Sequence, residues 1–287
     1  MRFRGTLAKG SLDVLLDVSQ SFLRLSSQSS SKHNCVFTLT PDVLCLALKS
    51  TGDELQSFAR LQTTRLFHEA VVQSRADNEI AFLCDIKHFH QALQSGKDAS
   101  AVMLRLLKRD GHSFLCLRTR AVDIDIVQSV PIQVMAISAV VHYQEPNVPA
   151  PQIAIEMPPL RTMRNIVDRL KSMHKSIAVE ASRTGTLVLR IETNSLTLQT
   201  LFAHLRHRDD LIESPDDNDT DRLHRTPSSC VTVDATSFSK AIIADSSSTE
   251  TVLCCISENS AMVLHCILVD TFGSFTCYIP VLAPEVM

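Results

Sequence analysis

Asp85-Ile-Lys-His-Phe89-His-Gln-Ala92 and Asp234-Ala-Thr-Ser-Phe238-Ser-Lys-Ala241 spell one pattern, D-x-x-x-F-x-x-A, twice, 149 positions apart in a chain of 287 residues. The same offset carries Val102-Met-Leu-Arg-Leu-Leu onto Thr251-Val-Leu-Cys-Cys-Ile and Val130-Pro131-Ile132 onto Ile279-Pro280-Val281. Three matches at one offset, with no gap between them, point to a duplicated domain. Each copy of the first pattern reads as a short helix with Asp85 or Asp234 as its N-cap, because an aspartate oxygen there accepts from the unpaired amides of the first turn.

Toward the front of each half the repeat loosens. Leu12, Leu15, Leu16 and Phe22 match Met163, Ile166, Val167 and Met173 at an offset of 151. Each half is therefore expected to open with a helix. In the second copy Pro158 and Pro159 suit a helix start, and Leu160, Met163, Ile166, Val167, Leu170 and Met173 recur at helical spacing. Between the helices the period changes to two, the mark of strands with one buried face. Val122, Ile124 and Ile126 alternate with Asp123 and Asp125, Leu196, Leu198 and Leu201 lie among polar residues, and Val231 and Val233 flank Thr232. The fold class read from this is α+β, two tandem domains, each with two helices on antiparallel sheet. The boundaries fall at 1–137 and 152–287, with 138–151 as connector. The connector's three prolines, Pro146, Pro149 and Pro151, favour an extended course.

Composition narrows the function classes. A hydrophobic fraction of 45% supplies core for two domains, while a net charge of −3 gives no bulk attraction to nucleic acid, so any such contact must be local. The start, Met1-Arg-Phe-Arg-Gly-Thr-Leu, has no apolar signal core, and no apolar run is long enough to span a bilayer; neither secretion nor membrane contact is expected. Nine cysteines, without a C-x-x-C pair, sit mostly inside apolar runs, as small core residues of a reducing compartment do. Cytosol and nucleus are not separated by this. Walker A, G-x-S-x-G, H-E-x-x-H and dinucleotide-binding glycine patterns do not occur, so no cofactor is expected and no catalytic residue is assigned.

Two helices and alternating strands, repeated and joined by an extended connector, resemble the plan of the eukaryotic sliding clamps. The segments Met1-Arg-Phe-Arg, Asp77-Asn-Glu-Ile80, Val130-Pro-Ile, Gln144-Glu-Pro-Asn-Val-Pro149, Pro159-Leu-Arg-Thr-Met163, Ile177-Ala-Val-Glu-Ala, Leu187-Val-Leu-Arg-Ile-Glu-Thr and Tyr278-Ile-Pro-Val-Leu are similar to those of the Hus family, one subunit of the heterotrimeric nine-one-one checkpoint clamp. The likeness spans nearly the whole chain. It departs in Ser26 to Asn34, Gln56 to Arg75, and the acidic stretch Asp209 to Asp221 with its seven carboxylates. The resemblance implies a non-enzymatic ring segment in the nucleus that encircles double-stranded DNA. Its implied partners are two paralogous subunits in a 1:1:1 ring, an ATP-driven clamp loader, and repair and signalling proteins.

The residues then divide into three sets. Arg161, Arg164, Lys171 and Lys175 follow one another on one face of the second domain's first helix, interrupted by Asp168. Spacing alone reads this as a solvated face, whereas the resemblance turns it toward DNA phosphates, joined by Lys87, Lys240 and Lys9. Asp13 and Asp17 on the first helix are not expected to touch phosphate. Val140, Val141 and Tyr143 either line a groove where partner peptides dock or anchor the connector to its own domain. Ring closure needs open strand edges, placed by the resemblance near Ile124 and Ile126 in the first domain and Leu198 and Leu201 in the second. His88 and His90, two apart on a helix, diverge too far to share an ion and read as surface residues, and the adjacent Cys254 and Cys255 read as core. A homotrimeric replicative clamp is the alternative within this class. The rival from another class is a metal-dependent DNA-processing enzyme using Asp123, Asp125, Asp209 or Asp210.

Overall fold

The computed structural model describes residues 1–26, 33–48, 54–120, 124–193, 195–208, 228–243 and 247–283. The first half runs β1 (Arg2–Leu7), α1 (Ser11–Ser26), β2 (Asn34–Leu39), β3 (Val43–Leu48), β4 (Gln56–Gln62), the single turn α2 (Thr63–Leu66), β5 (Phe67–Gln73), β6 (Ile80–Asp85), α3 (Ile86–Gln94), β7 (Ala101–Arg109), β8 (His112–Arg120) and β9 (Asp125–Met135). After α4 (Ile137–Val140) and a 3₁₀ turn (Val141–Tyr143), the second half runs β10 (Ile153–Glu156), α5 (Leu160–Met173), β11 (Ser176–Ser182), β12 (Thr186–Glu192), β13 (Thr197–Phe202), β14 (Ser228–Asp234), α6 (Ala235–Ala241), β15 (Thr249–Ser257), β16 (Ala261–Leu268) and β17 (Gly273–Pro280). The class is α+β, as the repeat predicts.

The duplication persists at the level of single residues. Asp85 accepts from the amides of Lys87 and His88, and Asp234 from that of Ser237, so both predicted N-caps form. Phe89 and Phe238, the aromatic members of the pattern, are both fully buried beneath their helices, as are Ala92 and Ala241. Cys84 on β6 pairs with Ile132 on β9, and their counterparts 149 residues on, Val233 and Val281, form the equivalent bridge.

Four expectations are corrected. A strand, not a helix, opens each half: Phe3 and Leu7 of β1 and Ile153 and Ile155 of β10 point into the core, but these strands are too short and too close to the following helix for their alternation to stand out. The connector begins as helix, because its first residues precede the prolines; only the stretch after Tyr143 is without regular structure. Met173, the last residue of α5, is 55% exposed and lies outside the buried line of Met163, Val167 and Leu170. Finally, β9 does not bury an alternating face. Ile126 and Val127 are exposed on it, as is Ile124 just before it.

Among the described residues two sheets form, one of thirteen strands in the order β10-β15-β16-β17-β4-β3-β2-β6-β9-β8-β7-β1-β5, and one of four in the order β13-β12-β11-β14. Helices α1 and α3 pack together, as do α5 and α6, and α1 also touches α6 across the halves. One apolar core joins both halves; Phe22 of α1 meets Phe275 of β17 edge-on, with ring centroids 5.2 Å apart. The large sheet crosses from one half to the other where β17 pairs antiparallel with β4, Gly273 opposite Leu61 and Phe275 opposite Ala59. Gly273 is required there. It holds φ at +139°, and a Cβ would lie 1.9 Å from the Arg60 carbonyl oxygen.

Candidate functional site: a helix layer, a connector groove and two open edges

On α5 the buried line of Met163, Val167 and Leu170 turns Arg161 and Lys171 to the exposed side. Asp168 gathers the charges around it. Its carboxylate accepts from the Ser239 hydroxyl of α6 at 2.5 Å, from Lys171 Nζ at 3.2 Å, and pairs with Arg164 Nε at 3.7 Å. Partial burial opposes ionisation of Asp168, but the hydrogen bonds from Ser239 and Lys171 and the two nearby cations outweigh it and hold its pKa below the usual carboxylate value. Lys240, one turn along α6, has its pKa lowered by burial and by Lys171, which places the two ammonium groups in each other's field. The structure thus brings Arg164, Lys171 and Lys240 together across α5 and α6. Lys175 lies beyond the end of α5, where its carbonyl accepts from Ala235 at the start of α6, so it leaves the helical stripe.

In the first half Lys9 stands in the turn before α1, and Lys87 is exposed on the first turn of α3. Asp17 faces elsewhere: its Oδ2 accepts from the Ser248 amide at 3.0 Å, the Ser248 hydroxyl at 2.7 Å and the Ser247 hydroxyl at 3.3 Å, all in the second half. This tie had no sequence signature, since its partners lie 230 and 231 positions away. His88 is exposed as expected, but His90 is buried between α1 and α3. His90 Nε2 accepts from Gln94 at 3.0 Å and its Nδ1 lies 2.8 Å from the Ser19 hydroxyl, and burial lowers its pKa. The lone polar ring was misread because its apolar neighbours Phe89, Ala92 and Leu93 leave no separate periodic signal for it.

The connector borders a groove of about 830 Å³ whose lining includes Val36, Cys45, Phe58, Val140, Tyr143 and Glu145. Tyr143 packs on Val36, Ala47 and Phe58, so one ring both anchors the connector and forms the groove wall. Val141 takes no part, being 60% exposed on the far side of the 3₁₀ turn. A second depression of about 460 Å³, with Pro149, Cys255, His265 and Tyr278 among its lining residues, shares Arg60 and Glu145 with the first. The Tyr278 hydroxyl donates to Glu145 at 2.8 Å between them, and burial together with that carboxylate raises its pKa. Sequence reasoning missed Glu145 and Tyr278; only the position of Glu145 inside the connector could have drawn attention to it.

The open edges follow from the junction between the halves. β17 is the counterpart of β9 at the 149-residue offset, and β17 is covered on its outer side by β4. Among the described residues the corresponding stretch of β9, up to Pro131, pairs with β8 on one side only, because β6 reaches no further than Ile132. In the four-stranded sheet β13 occupies the end position, as β4 would without β17. Ile126, counterpart of the buried Phe275, is accordingly 39% exposed, and Ile124 is 61% exposed. On β13 the residues alternate, so Leu198 and Leu201 fall on opposite faces; Leu201 is exposed and Leu198 leans on the core.

Of the acidic set considered for metal chemistry only Asp125 is among the described residues. Asp125 is held by Arg118 and Arg120, and Asp123, Asp209 and Asp210 lie outside the described residues, as do positions 27–32 and 209–227 of the two loops. No group of three potential metal-binding side chains occurs among the described residues, and no helix is long and apolar enough to cross a membrane. All nine cysteines are free thiols; burial raises the pKa of Cys84 to about 12 and that of Cys255 to about 11.

Comparison with known proteins places this architecture. Among solved structures, the PCNA of Thermococcus kodakaraensis superimposes with a TM-score of 0.72 at 13% identity, covering 98% of this chain and 100% of that one. The Proliferating Cellular Nuclear Antigen of Entamoeba histolytica does so with a TM-score of 0.71 at 9% identity, covering 98% and 99%. Among curated proteins, the checkpoint protein hus1 homolog of Dictyostelium discoideum is 26% identical over 98% of this chain and 99% of its own length. Checkpoint protein hus1 of Schizosaccharomyces pombe is 29% identical over 82% and 85%, and checkpoint protein HUS1 of Homo sapiens 26% identical over 71% and 74%. The family model described as Hus1-like protein matches residues 1–283. With the sliding-clamp fold and a family match over almost its entire length, the chain belongs to the Hus1-like family.

Proposed function

We propose that this chain is a checkpoint clamp subunit, one segment of a ring that encircles DNA and offers its outer and connector surfaces to other proteins. The observation that carries the ring is the β17–β4 junction. The same two kinds of strand meet inside the chain, and their counterparts, β9 along Asp125 to Pro131 and β13, each keep one edge that no described strand covers. Repeating the junction between chains, β9 of one against the β13-type strand of the next, buries Ile124 and Ile126 and adds clamp halves in a closed circle. The relatives are checkpoint proteins, which supports a checkpoint role for the circle, and in this reading it acts at DNA damage or stalled forks.

In this reading the neighbours are two different paralogues in a 1:1:1 ring, brought onto DNA by an ATP-driven loader, and the complex works in the nucleus. Arg161, Arg164, Lys171 and Lys240 on the helix layer, with Lys9, Lys87 and Lys175 around them, contact phosphates without reading bases, as sliding requires. The two connector depressions receive extended peptide segments of repair and signalling proteins. The chain supplies enclosure and docking surface, and the chemistry belongs to its clients. The test is topological: a ring loaded on nicked circular DNA stays bound at high salt and is released when the circle is cut, whereas a subunit that merely adheres to DNA leaves both forms at the same salt concentration.

A further inference from the structure

Strand pairing in the first half collects arginines on the sheet face turned away from α1 and α3. Arg4 of β1 is level with Val71 of β5 and with Arg105 of β7, and the next residues on that face include Arg2, Arg118 and Arg120. Residues paired directly across strands share a face, so these side chains stand side by side while Phe3 and Leu104 point into the core. Among the described residues of these strands Glu69 and Asp125 are the carboxylates on the same face, and Asp125 is already engaged by Arg118 and Arg120. The Nε atoms of Arg105 and Arg118 are closed off from solvent and have no hydrogen-bond partner among the described residues. Between the arginines lie the half-buried Met103, Leu107 and Phe114.

The sheet ends beside this face. β5 is its last strand, paired with β1 on one side and with no described strand on the other, and His68 to Val71 are exposed along it. We propose that this face docks an extended, carboxylate-rich peptide of a partner protein. The peptide adds as a strand to the open edge of β5, with its acidic side chains, one at every second residue, on the face of Arg2 and Arg4, and the apolar ones between them on the opposite face, beside Ala70 and Val72. An unpaired edge supplies the main-chain hydrogen bonds, and planar guanidinium forks match carboxylates better than point-charge lysines do. Interleaved apolar side chains favour such a peptide over the uniformly charged backbone of duplex DNA. The β5 edge is separated from β9 in the sheet by β8, β7 and β1.

The experiment uses the full chain and a fluorescein-labelled peptide of alternating Glu and Val, followed by fluorescence anisotropy at physiological salt. A second peptide of the same composition carries all its Glu at one end. The alternating peptide should bind, Arg2→Glu with Arg4→Glu should weaken it at least about tenfold, and the paired Arg→Gln changes should weaken it less. Both positions are exposed on the strand, and coincident thermal unfolding of the variants establishes that they fold. Amide hydrogen exchange across Glu69 to Val71 should slow when the peptide is bound. Equal binding of both peptides, unchanged affinity in the charge-reversal variant, unaltered exchange along β5, or displacement of the peptide by a short DNA duplex that needs the same arginines would each overturn the proposal.

Discussion

Asp17 on α1 accepts two hydrogen bonds from Ser248, one from its amide and one from its hydroxyl, and so fastens the first half of the chain to the segment entering β15 in the second. The Ser248 side chain is buried, which makes the pair worth more than a surface contact. Asp17→Ala leaves the buried Ser248 donors without their acceptor and should cost about 1–3 kcal/mol. Urea unfolding reads this as a lower midpoint at constant slope; an unchanged midpoint would mean that solvent replaces Asp17 at no cost.

The β17–β4 junction rests on Gly273. Its φ of +139° and the 1.9 Å approach of a would-be Cβ to the Arg60 carbonyl leave no room for a side chain. Gly273→Ala should destabilise the chain by more than about 1 kcal/mol and loosen β17 from β4, seen as faster amide exchange at Ala59 and Phe275 than at Phe37 in the interior of the sheet. The Phe22–Phe275 contact belongs to the same seam, and Phe22→Ala should cost about 3–5 kcal/mol in the same unfolding assay.

Buried His90 gives stability a pH dependence of known sign. Burial depresses its folded pKa below the unfolded value, so its contribution is complete above about pH 6.5 and is lost as the pH falls from there toward the folded value. His90→Gln should flatten the slope of unfolding free energy against pH across that window. Asp168 acts lower on the scale. Its depressed pKa gives stability that is present above about pH 4 and disappears as the pH falls through the folded value, and Asp168→Asn should remove that acid limb.

Asp168 also sets the charge of the helix layer, since it stands among Arg164, Lys171 and Lys240. Asp168→Asn, by removing that anion, should strengthen binding of the assembled ring to duplex DNA about two- to threefold, and Lys171→Gln should weaken it and lower the magnitude of the salt dependence by about one unit. Equal affinity for all three proteins, measured by fluorescence anisotropy across a salt series, would remove this helix face from DNA contact.

How far the sequence carried depended on how local each signal was. Asp85 with Phe89 and Asp234 with Phe238 lie within one helical turn of each other, and cap and buried ring both formed as the pattern required. The offset of 149 told which strands are equivalent, down to the Cys84–Ile132 and Val233–Val281 bridges. Exposure at Ile124 and Ile126 was not legible from alternation, because a period of two shows that one face is apolar but not whether a neighbouring layer covers it. Val140 and Tyr143 reached the groove, but Val141 did not, since the connector's first turn is helical and rotates each residue by about 100°. Asp17–Ser248 and Glu145–Tyr278 were beyond reach, as each joins residues more than a hundred positions apart.

In the proposed ring β9 and β13 repeat, between chains, the junction that β17 and β4 make within one. This repetition is tested most directly by size-exclusion chromatography with in-line mass measurement on this chain alone, on the chain with its two candidate paralogues, and on Ile126→Glu with the same paralogues. The account predicts a 1:1:1 complex when all three are present, no such complex with Ile126→Glu, and no ring from this chain alone. A stable homotrimer of this chain would contradict the heterotrimeric assignment, and a 1:1:1 complex indifferent to Ile126→Glu would contradict the strand-edge junction.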